Sequence, residues 1–454
     1  MHTTWLGFLR RTTISKVILV ILVFAAIGSL LIAATRAATQ AVHSEAENGV
    51  LSHNDLTVTD SAASGGQAIR FSEAAPTSPT CNLNATTTTF TSQVAAATDG
   101  QTICLASGSY GTWSGVNKRI VITKQAGASP SMALNVANIA NLTIDGIAIT
   151  KADLNRNIKN LTIKNSTFTG FVYIDATGML AGNIMFDNNI HSNIFLPEPV
   201  TGSTGREGRI HIGNGFLGTG SVTQNSGIIV RNSLFSGGTA DGIRVDDGVA
   251  GVSILNNEFT QNTDQNREEV HSDPIQFYGS NTITVKNNYF HTPSGVASCS
   301  LGQHDGGSGH TIVNNLIVGG NGCYFGMYLR ADRNSTVSHN TFAYGNCGGQ
   351  NCGILWVGGK PGSSGGGTIY EDNIFTSFNQ SDVAVSITAR NNLTRSSIGG
   401  PSNITGAPTY MAGTGIDAYK LAAGSLGKNQ AANTAVGPDI GVNTATVGRN
   451  RGTQ

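Results

Sequence analysis

The sequence predicts an all-β fold, a right-handed parallel β-helix solenoid over residues 85–440, preceded by an N-terminal transmembrane or signal helix. Three observations predict it. A short repeat centred on an asparagine pair recurs along the chain, glycine is abundant at 58 residues while aromatics are 7 %, and an unbroken apolar run lies near the start.

The repeat is an apolar residue, any residue, a polar pair usually containing Asn, any residue, then an apolar residue. It reads Ile163 to Phe168, Phe186 to His191, Val230 to Phe235, Ile254 to Phe259, Val285 to Phe290, Ile312 to Ile317, Val337 to Phe342 and Tyr370 to Phe375. A weaker copy sits at Arg390-Asn391-Asn392-Leu393, and Ile144-Asp145-Gly146-Ile147 is a degenerate first member. One such unit cannot bury both faces of its strands, so copies must stack. Asn at the turn adopts left-handed backbone readily, and its amide can bond to the Asn of the next coil. Most copies lie 18–33 residues apart, and the 44-residue step from Phe186 to Val230 fits either two coils or one coil with a long insertion. An antiparallel sandwich would instead need Asn-Gly or Asp-Gly hairpins every 8–12 residues or so, a spacing not found here.

At the N-terminus, Arg10, Arg11 and Lys16 precede the apolar run from Val17 to Ala34. In a helix that run rises about 27 Å, enough to cross a bilayer core. Residues 1–36 are therefore read as a signal peptide or membrane anchor, with Thr35-Arg36-Ala37 as a cleavage site in the first case, and the rest of the chain as exported. Six cysteines fall into the local pairs Cys81/Cys104, Cys299/Cys323 and Cys347/Cys352, which suits disulfides in an exported protein and lacks zinc-site spacing. The formal net charge is zero and charged residues are 12 %, so no basic field attracts nucleic acid.

Residues 43–73 carry Glu45-Ala46-Glu47 and Ala63-Ser64-Gly65-Gly66, with Phe71 further on. They resemble the opening of β-sandwich carbohydrate-binding modules, without that family's later sugar-stacking strands. Residues 74–84 follow as a linker, and 441–454 are expected to be a disordered tail. The segment from Phe90 to Tyr110 resembles the entry to a pectate-lyase-like helix, in which a short amphipathic helix caps the first coil. The segment from Tyr419 to Gly441 resembles the exit of such proteins.

Chemistry in such a solenoid comes from side chains stacked one coil apart. Neighbouring coils contribute Asp241, Arg244, Asp246 and Asp247; His271, Asp273 and Gln276; Gln303, His304 and Asp305; Tyr328 and Arg330; and Trp356. Adjacent coils lie about 4.8 Å apart, so Asp241 and Asp273 are candidates to perturb one another or to share a Ca²⁺ ion. Lysis of an acidic polysaccharide needs a group to neutralise the uronate, a base for its C5 proton and an acid for the leaving oxygen. Arg244 or Arg330 suits the first task, and His271 or His304 the second. Hydrolysis needs two carboxyls instead, with Asp241, Asp246, Asp273 and Asp305 as candidates. The remaining candidates, Gln276, Gln303, Tyr328 and Trp356, are expected to bind substrate. The Gly-rich stretch 196–226 is read as a wall of the groove.

The stretch Gly326 to Asn340, followed by Gly353 to Gly358, resembles the alginate and chondroitin lyase branch. That resemblance implies Arg330 as general acid. The family's base lysine falls at Asp305-Gly306-Gly307, where this sequence has no lysine. The function expected is an exported, carbohydrate-active β-helix that binds a polysaccharide along residues 241–356 and cleaves it, more by elimination than by hydrolysis. The alternative is a non-catalytic adhesin or glycan-binding solenoid.

Overall fold

The computed structural model describes residues 56–59, 67–70, 80–177, 182–195, 208–213, 225–260, 273–291, 299–319, 325–344, 351–357, 359–360, 363–380 and 386–449. The chain divides into two compact units, Met1–Thr77 and Ser78–Gln454. In the first, Leu56–Thr59 pairs antiparallel with Gln67–Arg70. The expected signal or anchor segment lies outside the described residues, and no described helix is long and apolar enough to cross a membrane.

The second unit is a parallel β-helix with three ladders. One is a 13-stranded parallel sheet from Leu83–Ala85 to Thr388–Arg390. Its central column passes in strict register through Ile103, Ile122, Ile144, Ile163, Phe186, Val230, Ile254, Val285, Ile312, Val337 and Tyr370. Every one of these is at 0 % exposure, and each such apolar side chain contributes about 1.5–3 kcal/mol by leaving water. The column also settles the 44-residue step. Phe186 pairs directly with Val230, so that step is one coil carrying an insertion.

The two residues of the asparagine pair divide the work. The first takes positive φ, as in Asn165, Asn188, Asn232, Asn256, Asn287 and Asn314, with His339 and Asp372 substituting further on. The second builds a buried ladder: the backbone N–H and side-chain amide of Asn257 both donate to Asn288 Oδ1, and Asn288, Asn315, Asn340 and Asn373 repeat the pattern with the next member. Each amide also reaches a carbonyl of the preceding coil, as Asn315 does to Val285 at 2.9 Å. Ser166 and Ser233 take this place in two earlier coils.

Beside the ladder the second sheet carries a ring column. His191 stacks between Phe168 and Phe235 at centroid distances of 4.3 and 4.7 Å, and Phe259 and Phe290 continue it at 4.8 Å spacing. Burial, with the nearby Arg209 cation, pushes His191 down to about 3, so it is a neutral ring.

The ends close the core. The helix Phe90–Ala96 turns Phe90 and Val94 inward, and Phe90 meets Tyr110 and Trp113 edge-on. Cys81 and Cys104 form a disulfide; the side chains of the other two cysteine pairs lie outside the described residues. The segment expected to be a disordered tail is packed as far as Arg449. Val442 and Val447 are buried against Tyr289 and Leu316. The N–H of Asn443 donates to Asn314 Oδ1, that of Gly448 to Asn287 O, and Arg449 reaches Asn232 O. The segment runs back along the asparagine turns because those turns offer open carbonyls and amides, a demand that polar composition alone does not reveal.

Candidate functional site

The third ladder stacks Val172–Asp175, Gly208–Gly213, Asp241–Val245, Ile275–Phe277, Cys299–Gln303, Phe325–Arg330, Asn351–Val357 and Phe378–Gln380. Ile243, Ile275, Leu301 and Met327 form one buried column, and Val245, Phe277, Gln303 and Leu329 another. Strand alternation sends the residues between and beyond them to the opposite side. Two outer columns result. One carries His211, Arg244, Gln276, Gly302 and Tyr328 in register, of which Arg244 and Tyr328 are half-buried and the other three are buried. The other follows one residue after the second buried column and carries Asp246, Tyr278, His304 and Arg330.

The two columns interlock. Arg244 lies over the Tyr278 ring, 4.4 Å from its centroid. Tyr278 stacks on His304 at 5.4 Å, and His304 meets the tilted ring of Tyr328 at 5.2 Å. Arg244 is fixed from below, since its Nε donates to Asp246 Oδ1 at 3.0 Å while His211 Nε2 is 2.6 Å from the other carboxylate oxygen. Burial tends to raise Asp246, but the His211 and Arg244 hydrogen bonds and charges outweigh it and hold the carboxyl below its usual range. Tyr278 is pushed up to about 12 by burial, so it is a neutral phenol.

Beneath this strip lies a sealed acidic pair. Asp241 and Asp273 are at 3 % and 0 % exposure, and the Asp273 backbone N–H donates to Asp241 Oδ1 at 2.8 Å. Burial and the neighbouring Asp273 charge raise Asp241 well above the carboxylate range, against the lowering effects of that hydrogen bond and of Arg209. Arg209, itself lowered to about 9 by burial, spends its guanidinium on the carbonyls of His191, Ser236, Gly237 and Ala240. These two aspartates do not suit Ca²⁺, which takes six or more oxygen ligands from flexible, hydrated donors. A buried arginine already supplies positive charge nearby, and no group of three metal-ligating side chains occurs among the described residues. Asp241 and Asp273 by themselves supply fewer oxygens than the six or more that Ca²⁺ takes.

Other expectations divide. Gln276 and Gln303 are fully buried, which removes them as substrate contacts. Gln276 Nε2 donates to Asp273 Oδ2 at 3.2 Å, and Gln303 Nε2 to Arg330 O at 3.3 Å, so each braces the strand instead. Asp273 cannot touch a polymer directly, yet its Oδ2 lies 3.7 Å from Nε2 of the part-exposed His304. Arg244, His304, Tyr328 and Arg330 gather on the outer columns, and Asp305 is exposed beside them. Trp356 pairs in register with Leu329, but its side chain lies outside the described residues, as does His271. Of the expected groove wall, Gly208–Gly213 is a buried strand and most of the rest lies outside the described residues. Tyr278 and His211 were missed. Aligning each coil on its buried residues would have found both, because they fall at the same positions as His304 and Arg244.

A family model described as the right handed beta helix region matches residues 221–363, the coils that carry this strip. The class is therefore a right-handed parallel β-helix. No curated protein sequence matches the chain. Among solved structures, the alginate lyase AlyGC of family PL6 aligns with a TM-score of 0.47 at 11 % identity, covering 81 % of this chain and 57 % of that one. This chain thus spans little more than half the length of that lyase. Pectate lyase Pel9A aligns at 0.32 and 14 % identity over 80 % of this chain and 91 % of its own. PfbA, a surface adhesin of Streptococcus pneumoniae, aligns at 0.31 and 12 % identity over 66 % and 83 %.

Proposed function

We propose that this chain is an exported, carbohydrate-active β-helix protein that binds an acidic polysaccharide along residues 241–356 and cleaves it by β-elimination. The observation that carries the reading is the continuous strip Arg244, Tyr278, His304 and Tyr328, one group per coil, with the cation held over a ring. Rings spaced by the coil repeat suit a chain of pyranoses, whose C–H faces stack on aromatics, and guanidinium groups suit their carboxylates.

In this reading Arg244 neutralises the uronate carboxylate, which acidifies C5–H. Asp273 favours the His304 tautomer protonated on Nε2, leaving Nδ1 to take the C5 proton. The C4–O4 bond breaks as the C4=C5 double bond forms, and O4 receives a proton on the side of Arg330, the general acid implied by the lyase resemblance. Arg330 Nε is buried with no hydrogen-bond partner among the described residues. A two-carboxyl hydrolysis is less well supported: Asp241 and Asp273 are sealed off and Asp246 is held by His211 and Arg244.

The absent lysine at Asp305-Gly306-Gly307 favours a second reading, an adhesin that binds the same polymer without cleaving it. Incubation with alginate, pectate and glycosaminoglycans, followed by ultraviolet absorption of the new double bond, separates the two. Absorbing product is expected. Neither absorbance nor new reducing ends, with binding retained, would leave the adhesin.

A further inference from the structure

Away from the strip, the last coils and the exit segment enclose a cavity of about 280 Å³. Its walls include Phe375, Thr376 and Arg395 from the coils and Pro408, Tyr410 and Tyr419 from the returning chain. Tyr410 and Tyr419 form a corner, with ring centroids 5.6 Å apart at 74°. Burial, the Tyr419 hydroxyl and, in the opposite sense, the Arg395 cation act on the Tyr410 phenol, which stays neutral. Arg395 is exposed and makes no hydrogen bond or salt bridge among the described residues, in contrast to Arg390, whose Nε pairs with Glu371 at 2.6 Å.

We propose that this cavity is a second, separate site that takes a single acidic sugar residue, a uronate, of the polymer class that the strip is proposed to bind. The size admits one pyranose, at the small end of ligand pockets. The tyrosine corner offers a flat ring for its C–H face and a second ring for its edge, the Arg395 guanidinium offers a fork for its carboxylate, and the Thr376 and Tyr410 hydroxyls serve its own hydroxyls. A neutral hexose would leave Arg395 unused, and a planar aromatic acid would leave both hydroxyls unused. The site rests on the strip reading for its sugar class, and its role is to hold a chain end or released unit away from the cleavage point.

The test is ligand-observed NMR titration of the full chain with methyl glucuronide, methyl galacturonide, methyl glucoside and benzoate, repeated on R395A and Y410F. Saturable binding of a uronide is expected, weakened about tenfold or more in R395A and less in Y410F. R244A, which alters the strip, is expected to retain the uronide site that R395A weakens, even if it abolishes binding of the polymer. That arm separates failure of this site from failure of the strip. No uronide binding, equal binding of glucoside and glucuronide, tighter binding of benzoate, or equal affinity in wild type and R395A would each overturn the proposal.

Discussion

His304 Nε2 stands 3.7 Å from Oδ2 of Asp273, an exposed-side imidazole backed by a carboxylate that has no contact with solvent. The separation exceeds a hydrogen bond in the free protein and leaves room to close when substrate excludes water. In the proposed mechanism Asp273 acts as a positioning residue. Asp273→Asn keeps the shape but gives an amide that can donate, and the reversed dipole favours the other tautomer. Polymer cleavage is expected to fall about a hundredfold or more in kcat with little change in KM. An equal rise in KM with unchanged kcat would place Asp273 in binding.

Arg244 depends on Asp246 for its place over Tyr278. Asp246→Ala removes the carboxylate that Arg244 Nε and His211 Nε2 both engage. Polymer affinity should drop about tenfold, equivalent to about 1.4 kcal/mol, and the drop should match that of Tyr278→Ala. Affinity electrophoresis on polymer-containing gels checks this. Independent, additive losses in the double variant would argue that the two residues do not act through one contact.

His191 is a polar ring in a column of phenylalanines, and neither of its nitrogens has a hydrogen-bond partner among the described residues. Its native pKa of about 3 lies below the ordinary histidine value, so the unfolded chain binds a proton that the native state does not. Its contribution to stability is full above about pH 6.5 and falls as pH drops towards 3, by about 1.4 kcal/mol per unit. His310 and His339, also lowered chiefly by burial, act in the same direction. His191→Phe should stabilise the protein by about 1 kcal/mol at pH 7 and by more at pH 5. Urea melts at both pH values measure it; a variant with an unchanged pH slope contradicts the assignment.

The asparagine ladder predicts a graded series. Asn315 accepts from both nitrogens of Asn288 and donates to Asn340 and Val285, so Asn315→Ala leaves several buried groups unpaired. A loss of about 3 kcal/mol or more is expected. Asn315→Ser should cost less, because Ser233 fills the same position and still accepts from Asn189. Equal losses in the two variants would contradict the ladder's accounting.

Much of the fold was legible because a solenoid writes its core as a column. Residues such as Ile254, Val285 and Ile312 repeat in the sequence at the interval at which they stack. The site was half legible. Arg244, His304, Tyr328 and Arg330 could be picked as chemistry-bearing groups on consecutive coils, but burial depends on the register within each coil. Gln303 and Tyr278 differ in exposure because one falls on an inward position and the other on an outward one. The packed end of the chain was illegible for another reason. Asn443 and Gly448 bond to Asn314 and Asn287, about 130 and 160 residues earlier, and no local pattern encodes so distant a contact.

The central claim is that the Arg244 to Tyr328 strip places an acidic polymer where His304 can remove a proton. Its most direct test is the ultraviolet assay run on wild type and His304→Gln, with polymer binding measured on the same samples. Absorbing product from the wild type, loss of at least a hundredfold of it in the variant and a much smaller loss of binding are predicted. Undiminished product from His304→Gln would contradict the claim.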